Sequence, residues 1–313
     1  MKITYILPNR TCEIRGETLY SPLASERYRI INPSEELHKK GHEINMNFEP
    51  VRGSKTDVVF MGKFLTSPKP WLDTLAEYKD MGARIVWDIC DNYLDQYAKS
   101  AEFTALMRMT DTITCPSKAM LDLLVEKCGP FEKHYIPDAP ELGWSSHYQM
   151  PTKHCTWFGN TKNLECFFKA DLQPSYTLQL ITTSNALSIV DKLEAPCNVT
   201  FTPWSLPNVR KALNASTVVL IPAKLDDPWY QTKSANRALE ALWCGVPVLA
   251  SRIPEYEHIN LPGIYFLDEF KYHDGLEAME NTIVNVKKSQ DEIAEKYLIR
   301  HTVDMWEKAF AGT

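Results

Sequence analysis

Along this chain, short apolar runs rich in β-branched residues alternate with segments whose apolar residues recur at helical spacing. In the first half the runs are KITYILP, HEINMNF, TDVVFMG, ARIVWDI, DTITCPS and KHYIPD, and the intervals predict helices near 26–40, 70–81, 98–108 and 117–127. Strands separated by helices of that length imply βαβ units and a largely parallel sheet. The pattern restarts after the loop-like PDAPELGWSSHYQMPTK, with HCTWFG, YTLQLIT, NVTFTPW, STVVLIPA, VPVLAS and GIYFL as a second strand series. Beyond Phe266 the chain reads as helical to its end. Leu276, Met279, Ile283 and Val286 fall at helical spacing, and Met305, Trp306 and Phe310 mark a last helix that needs a surface to pack on.

The restart predicts two Rossmann-like α/β domains, residues 1–150 and 151–298, followed by a helix over 299–313. A chain of 313 residues with 44% hydrophobic content can bury two such cores. Its formal charge of −6 argues against a polyanion as main partner, although residues 1–70 carry 11 Lys and Arg against 8 Asp and Glu. There is thus no strong nucleic-acid signature, and the mild basic start suggests at most peripheral membrane contact. No signal-peptide pattern and no run of about 18 apolar residues is present, so a cytoplasmic protein is expected. The 8 cysteines form no CxxC pair and no metal-like cluster, which reads as reduced core thiols and no metal site.

In open α/β sheets, ligands bind beyond the carboxyl ends of the strands, where helix N-termini present free N–H groups. There the segment TKSANRALEALWCGVPVLAS (Thr232–Ser251) stands out. Ala235, Ala238, Leu239 and Leu242 make a sheet-facing stripe, while Lys233, Asn236, Arg237 and Glu240 are expected on the opposite side. That polar stripe is either a solvated face with internal ion pairs or a ligand surface. Lys233 and Ser234 are expected in the first helical turn, where a cation is misplaced by roughly 0.3–1 kcal/mol unless a bound anion lies between them. A diphosphate would satisfy the amides, the ammonium and the Ser234 hydroxyl together, and Glu240 would accept ribose hydroxyls. In the first domain, WDICDNYLD places Asp88 and Asp91 at a strand end, as acceptor-binding or basic carboxylates or as turn caps. Asn9, Arg10, Arg27 and Tyr28 are further strand-end candidates; His134 reads as structural, and Asp138 in IPDAP as the start of a hinge.

The segment KSANRALEALWCGVPVLAS resembles the donor-binding helix and following strand of GT-B glycosyltransferases, especially retaining enzymes of the family-four type. In those enzymes a Glu, seven residues and a second Glu precede a small-Gly-x-Pro-Val stretch. Glu240 matches the second Glu, the ribose ligand, while the first falls on Thr232 and is absent; the Lys-Ser opening resembles a variant among more distant members. SERYRIINPSEELHKKGHEI is similar to their first helix and second strand. WFGN (Trp157–Asn160) is similar to the strand that opens their second domain, after which an Arg and a Lys usually neutralise the donor diphosphate; here those positions suggest Gly159, Asn160 and Lys162, with Lys224 beyond VVLIPA a further phosphate candidate. Pro8-Asn9-Arg10 replaces the Gly-Gly turn common after their first strand, so Arg10 would substitute for bare amides.

The resemblance implies transfer of a sugar from a UDP-, GDP- or ADP-sugar to an acceptor hydroxyl in an interdomain cleft, with retention and no obligatory metal. Lys233, Lys162, Asp88 and Arg10 would carry the chemistry, and the last helix would pack on the N-terminal domain. An envelope glycan, a lipid-linked glycan and a hydroxylated base in viral DNA all remain open as acceptors. A nucleotide-sugar epimerase and a non-catalytic sugar-nucleotide-binding protein of the same fold are the rival readings.

Overall fold

In a computed structural model of the chain, residues 1–7, 13–15, 18–62, 69–94, 100–146, 153–161, 163–164, 176–183, 197–269 and 282–312 are described. They divide into two compact units. The first comprises Met1–Ala139, Thr232–Ser234 and Tyr297–Thr313, and the second Pro140–Gln231 and Ala235–Lys296.

Six of the apolar runs form the sheet of the first unit: β1 (Lys2–Ile6), β4 (Glu43–Asn47), β5 (Val58–Gly62), β6 (Arg84–Asp88), β7 (Thr112–Cys115) and β8 (Glu132–Tyr135). Their order is β4-β1-β5-β6-β7-β8 and every pairing is parallel. A short antiparallel hairpin, β2 (Glu13–Arg15) with β3 (Thr18–Tyr20), interrupts the first crossover. Strands of three residues are too short for alternation to reveal. The crossover continues as α1 (Ala24–Glu26), a π-helical turn (Arg27–Ile31) and α2 (Asn32–Lys39). Then come α3 (Lys69–Asp80), α4 (Ala101–Met109) and α5 (Lys118–Lys127).

Every residue of β5 is buried, as a central strand covered on both faces requires. Alternate residues feed different cores: Val59, Met61, Ile85 and Trp87 join one, and Val58, Phe60 and Val86 the other. The second core is completed by Val303, Trp306, Ala309 and Phe310 of the last helix. Trp306 meets Phe60 edge-on at 5.4 Å between centroids, and Phe310 lies 5.9 Å from the same ring. Tyr297–Thr313 is therefore part of the first unit.

A charged clasp backs this helix, as Lys40 pairs with Asp304 at 2.6 Å and with Glu307, and His42 Nε2 lies 2.7 Å from Glu307 Oε1. Burial pushes the Glu307 carboxyl up, but Lys40 and His42 outweigh it, so its pKa falls below the ordinary range. A carboxylate depressed in the folded state stabilises above its unfolded pKa and loses that contribution as pH falls through the folded value. Glu307→Gln should therefore melt below wild type near neutral pH. The gap should close in acid, which melting curves across pH would check.

The other six runs form the sheet of the second unit: β9 (His154–Phe158), β10 (Thr177–Thr182), β11 (Asn198–Pro203), β12 (Val218–Ile221), β13 (Val248–Ala250) and β14 (Ile264–Phe266). The order is β11-β10-β9-β12-β13-β14, again all parallel. Counted within the unit this is the 3-2-1-4-5-6 order of doubly wound nucleotide-binding sheets, whose switch point lies between β9 and β12. Its helices are α6 (Leu206–Ala215), α7 (Pro228–Gln231), α8 (Asn236–Trp243), α9 (Pro254–Ile259) and α10 (Thr282–Lys296), and α11 (Ile299–Ala311) is the last helix of the chain. Leu276 and Met279, read as helical in the sequence, lie outside the described residues.

Candidate functional site

In the second unit, the candidate residues gather at the switch point. β9 ends at Phe158, and Gly159 follows with φ of +156°. A Cβ at Gly159 would stand 3.4 Å from Arg237 Nη1 and 3.4 Å from the Trp157 ring. Arg237, half-buried in the first turn of α8, also points Nη1 at the Phe158 carbonyl at 3.5 Å. Helix α8 thus lays a guanidinium against a bare backbone at the carboxyl end of the first strand, where dinucleotide-binding sheets receive phosphates. Asn160 is exposed and its carbonyl accepts from Asn163 N at 2.9 Å. Lys224 is exposed just past β12, in a turn closed by Asp227 N donating to its carbonyl at 3.1 Å. Ser251, at the end of β13, accepts the Ala223 amide at 2.8 Å and so ties the ends of β12 and β13 together.

Two expectations about the Thr232–Ser251 segment are corrected. Helix α8 starts at Asn236, so Lys233 and Ser234 precede it rather than occupying its first turn. They belong to the first unit, whereas Asn236, Arg237 and Glu240 belong to the second. Nor do the four polar residues make an open face. Glu240 is 1% exposed, and its carboxylate accepts the amides of Glu141 at 2.5 Å and Leu142 at 3.1 Å. The segment at 141–142 covers the side of the helix that was expected to face a ribose. The Cys244 thiol one turn on is pushed up to about 12 by burial, with the Glu240 charge adding to it, and is an inert core group. Gly245, with φ of +81°, ends the helix in the left-handed conformation that favours glycine.

The first unit gathers its charges around Arg29, a residue the sequence reading passed over. Arg29 is 2% exposed in the π-helical turn and donates Nη2 to Asp88 at 2.7 Å, Nη1 to Asp138 at 3.2 Å and Nη1 to the Ile136 carbonyl at 2.5 Å. Its guanidinium stacks 4.6 Å from the Trp306 ring. Burial disfavours the cation, but Asp88 and Asp138 outweigh it and hold its pKa above the ordinary value. Asp88 is fully buried and also accepts the Thr114 hydroxyl at 2.7 Å. This corrects the expectation of Asp88 as an acceptor-facing base, because its oxygens are already committed inside the core. Burial likewise raises the Asp138 pKa, against the pull of Arg29 and of a hydrogen bond from Ser234. Asp138 is accordingly an anchor within the first unit.

Three successive residues of the chain end on this unit. Ser117 donates to the Thr232 carbonyl at 2.6 Å, Lys233 Nζ pairs with Asp91 Oδ1 at 2.6 Å, and Ser234 bonds to Asp138. Of the remaining candidates, Arg27 and Tyr28 are buried, and His134 pairs with Glu132 at 2.7 Å. Asn9, Arg10 and Lys162 lie outside the described residues. Among the described residues there is no cluster of His, Cys, Asp and Glu fit for a metal ion, and no helix is long and apolar enough to cross a membrane.

Two six-stranded parallel sheets, each wrapped by helices, give the chain the GT-B fold. Solved structures with that fold match it along its length. HepE (Alr3699) of Anabaena, solved with UDP and glucose, aligns over 100% of both chains with a TM-score of 0.67 at 12% identity. An α-glucosyltransferase in complex with UDP-glucose and DNA containing an abasic site aligns over 99% of this chain and 98% of its own, at a TM-score of 0.63 and 12% identity. TarM aligns over 81% of this chain but only 54% of its own, at a TM-score of 0.62 and 12% identity. At such identities the likeness is one of fold. No family model and no curated protein matches the sequence.

Proposed function

We propose that this protein is a glycosyltransferase that moves a sugar from a nucleoside diphosphate to an acceptor hydroxyl, with retention. The observation that carries the reading is Arg237 beside Gly159 at the switch point of the second sheet. A diphosphate there meets a fixed cation and a backbone with no side chain in the way. In the transfer, the bond from the sugar's anomeric carbon to the phosphate oxygen breaks and its electron pair goes to the diphosphate. The acceptor oxygen bonds to the same face of that carbon, and its proton passes to the departing phosphate oxygen. The protein's main task is to stabilise charge on the leaving diphosphate. We assign that task to Arg237, with Lys224 and Lys162 as auxiliary cations, so the reading needs no metal ion. Glu240 serves by fastening the segment at Glu141–Leu142.

UDP-sugars are the first donors to test, because HepE and the α-glucosyltransferase were solved with UDP or UDP-glucose. One of UDP-, GDP- and ADP-glucose should raise the melting temperature. Arg237→Ala should weaken binding of that donor about tenfold or more, consistent with loss of a charge-assisted contact, while the unliganded melting temperature changes little. No shift with any nucleotide sugar, or an Arg237→Ala protein that binds as wild type does, would sink the reading.

A further inference from the structure

The two six-stranded sheets end in four edge strands, and an edge presents N–H and C=O groups that invite a further strand unless charge, shortness or cover defends it. Three of the four are defended. β4 opens on Glu43, paired with Lys2 at 3.1 Å, β8 carries Glu132, Lys133 and His134, and β14 has only three residues before Leu267, Asp268 and Glu269. β11 is the exception. Its NVTFTP is six residues long with no charged side chain, and among the described residues it pairs with β10 alone. The amides of Asn198 and Trp204 donate to the carbonyls of Tyr176 and Thr182 at 3.3 and 2.7 Å. Alternate residues of a strand turn to the same neighbour, so Thr200 and Thr202 face β10 too, while Val199 and Phe201 turn N–H and C=O outward. Pro203 adds an outward carbonyl only, because proline has no N–H.

We propose that β11 pairs with β11 of a second copy of this chain, antiparallel about a twofold axis normal to the sheet. Only Val199 and Phe201 offer both a donor and an acceptor on the outer side, and one register uses all of them. In it Val199 exchanges both bonds with Phe201 of the second copy, and symmetry repeats the exchange. Thr200 then lies on the axis, opposite Thr200 of the second copy in a non-hydrogen-bonded pair, with about 4.5 Å between Cα atoms. Rotation about the sheet normal keeps each face of the strand on its own side. The half-buried Val199 and Phe201, which pack on the core of their own unit, thus gain apolar neighbours across the axis, and the exposed Thr200 gains a threonine, a favoured cross-strand pair. Self-pairing suits an edge without charge, because a twofold brings each side chain near its own copy, and like charges there would repel. The strand is short, so the dimer belongs to the weak class that forms as concentration rises.

Sedimentation velocity of the full chain over a range of concentrations tests the pairing. The wild type should shift from monomer toward dimer as concentration rises. Thr200→Lys should stay monomeric where the wild type is dimeric, since it sets two ammonium groups face to face on the axis. Thr200 is exposed, so this variant should melt as wild type does. The register has its own readout. Under mild oxidation Thr200→Cys should give a disulfide-linked dimer, its expected Cα separation lying within the about 4.4–6.8 Å that a disulfide spans. Asn198→Cys should cross-link no more than wild type, because the register leaves its two copies about 13 Å apart along the strands. The inference is overturned if the wild type stays monomeric up to about 1 mM, if Thr200→Lys associates as wild type does, or if both cysteine variants cross-link equally.

Discussion

Arg29→Met is expected to lower the unfolding free energy by about 3–5 kcal/mol, the usual cost of removing one partner from a buried ion pair. The size follows from what is left behind. Asp88 is fully buried and Asp138 5% exposed, and without Arg29 both face each other with no cation between them. The Ile136 carbonyl loses a donor and Trp306 loses the guanidinium stacked on it. Methionine fills much of the volume, so the loss would report charge and hydrogen bonding more than a cavity. Urea unfolding followed by far-UV circular dichroism would measure it. Adding Asp88→Asn should restore part of the loss by removing one stranded charge. A single variant that loses less than about 1 kcal/mol would mean that Arg29 is worth no more than a surface pair.

The strands of both sheets were legible because parallel sheets bury both faces of a strand, and that leaves continuous apolar runs such as VVFM and VVLI. Of the candidate residues, the sequence shows which ones lie near strand ends but less of how they are arranged. Arg237 and Gly159 meet at the end of β9, because a helix following a strand in such a sheet begins at that edge. Glu240 was misplaced because helical periodicity reports which side of α8 faces the sheet, and it is silent on whether a distant segment covers the other side. The residues that do so, Glu141 and Leu142, act through backbone amides, which carry no side-chain signal. Arg29 was missed for a related reason. An arginine in RYRII reads as one exposed position in a helix, and only the fold brings Asp88, Asp138 and Trp306 around it. Asp88 at its strand end was the visible part of that cluster, and without its cation it looked like chemistry.

Glu240→Ala is expected to destabilise the second unit by about 2–4 kcal/mol, since it strands one buried and one half-buried amide that now bond to a charged acceptor. Glu240→Gln separates the two roles open to this residue. Its amide nitrogen is a donor, so it can satisfy only one of the Glu141 and Leu142 amides and sets a donor against the other. If Glu240 fastens that segment, the glutamine variant should lose stability and UDP affinity together. If Glu240 instead holds a ribose directly, glutamine should keep the stability of wild type, because other contacts hold the segment, and lose only affinity, because a neutral amide oxygen accepts a hydroxyl more weakly than a carboxylate does. Melting curves with and without UDP on the same two variants give both readouts. The burial of the carboxylate at 1% exposure favours the first result, since a ribose could reach it only after the 141–142 segment moved away. Such a movement would cost the two amide bonds before any hydroxyl bond formed. Glu240 is thus spent on the backbone of its own unit, where it holds the 141–142 segment.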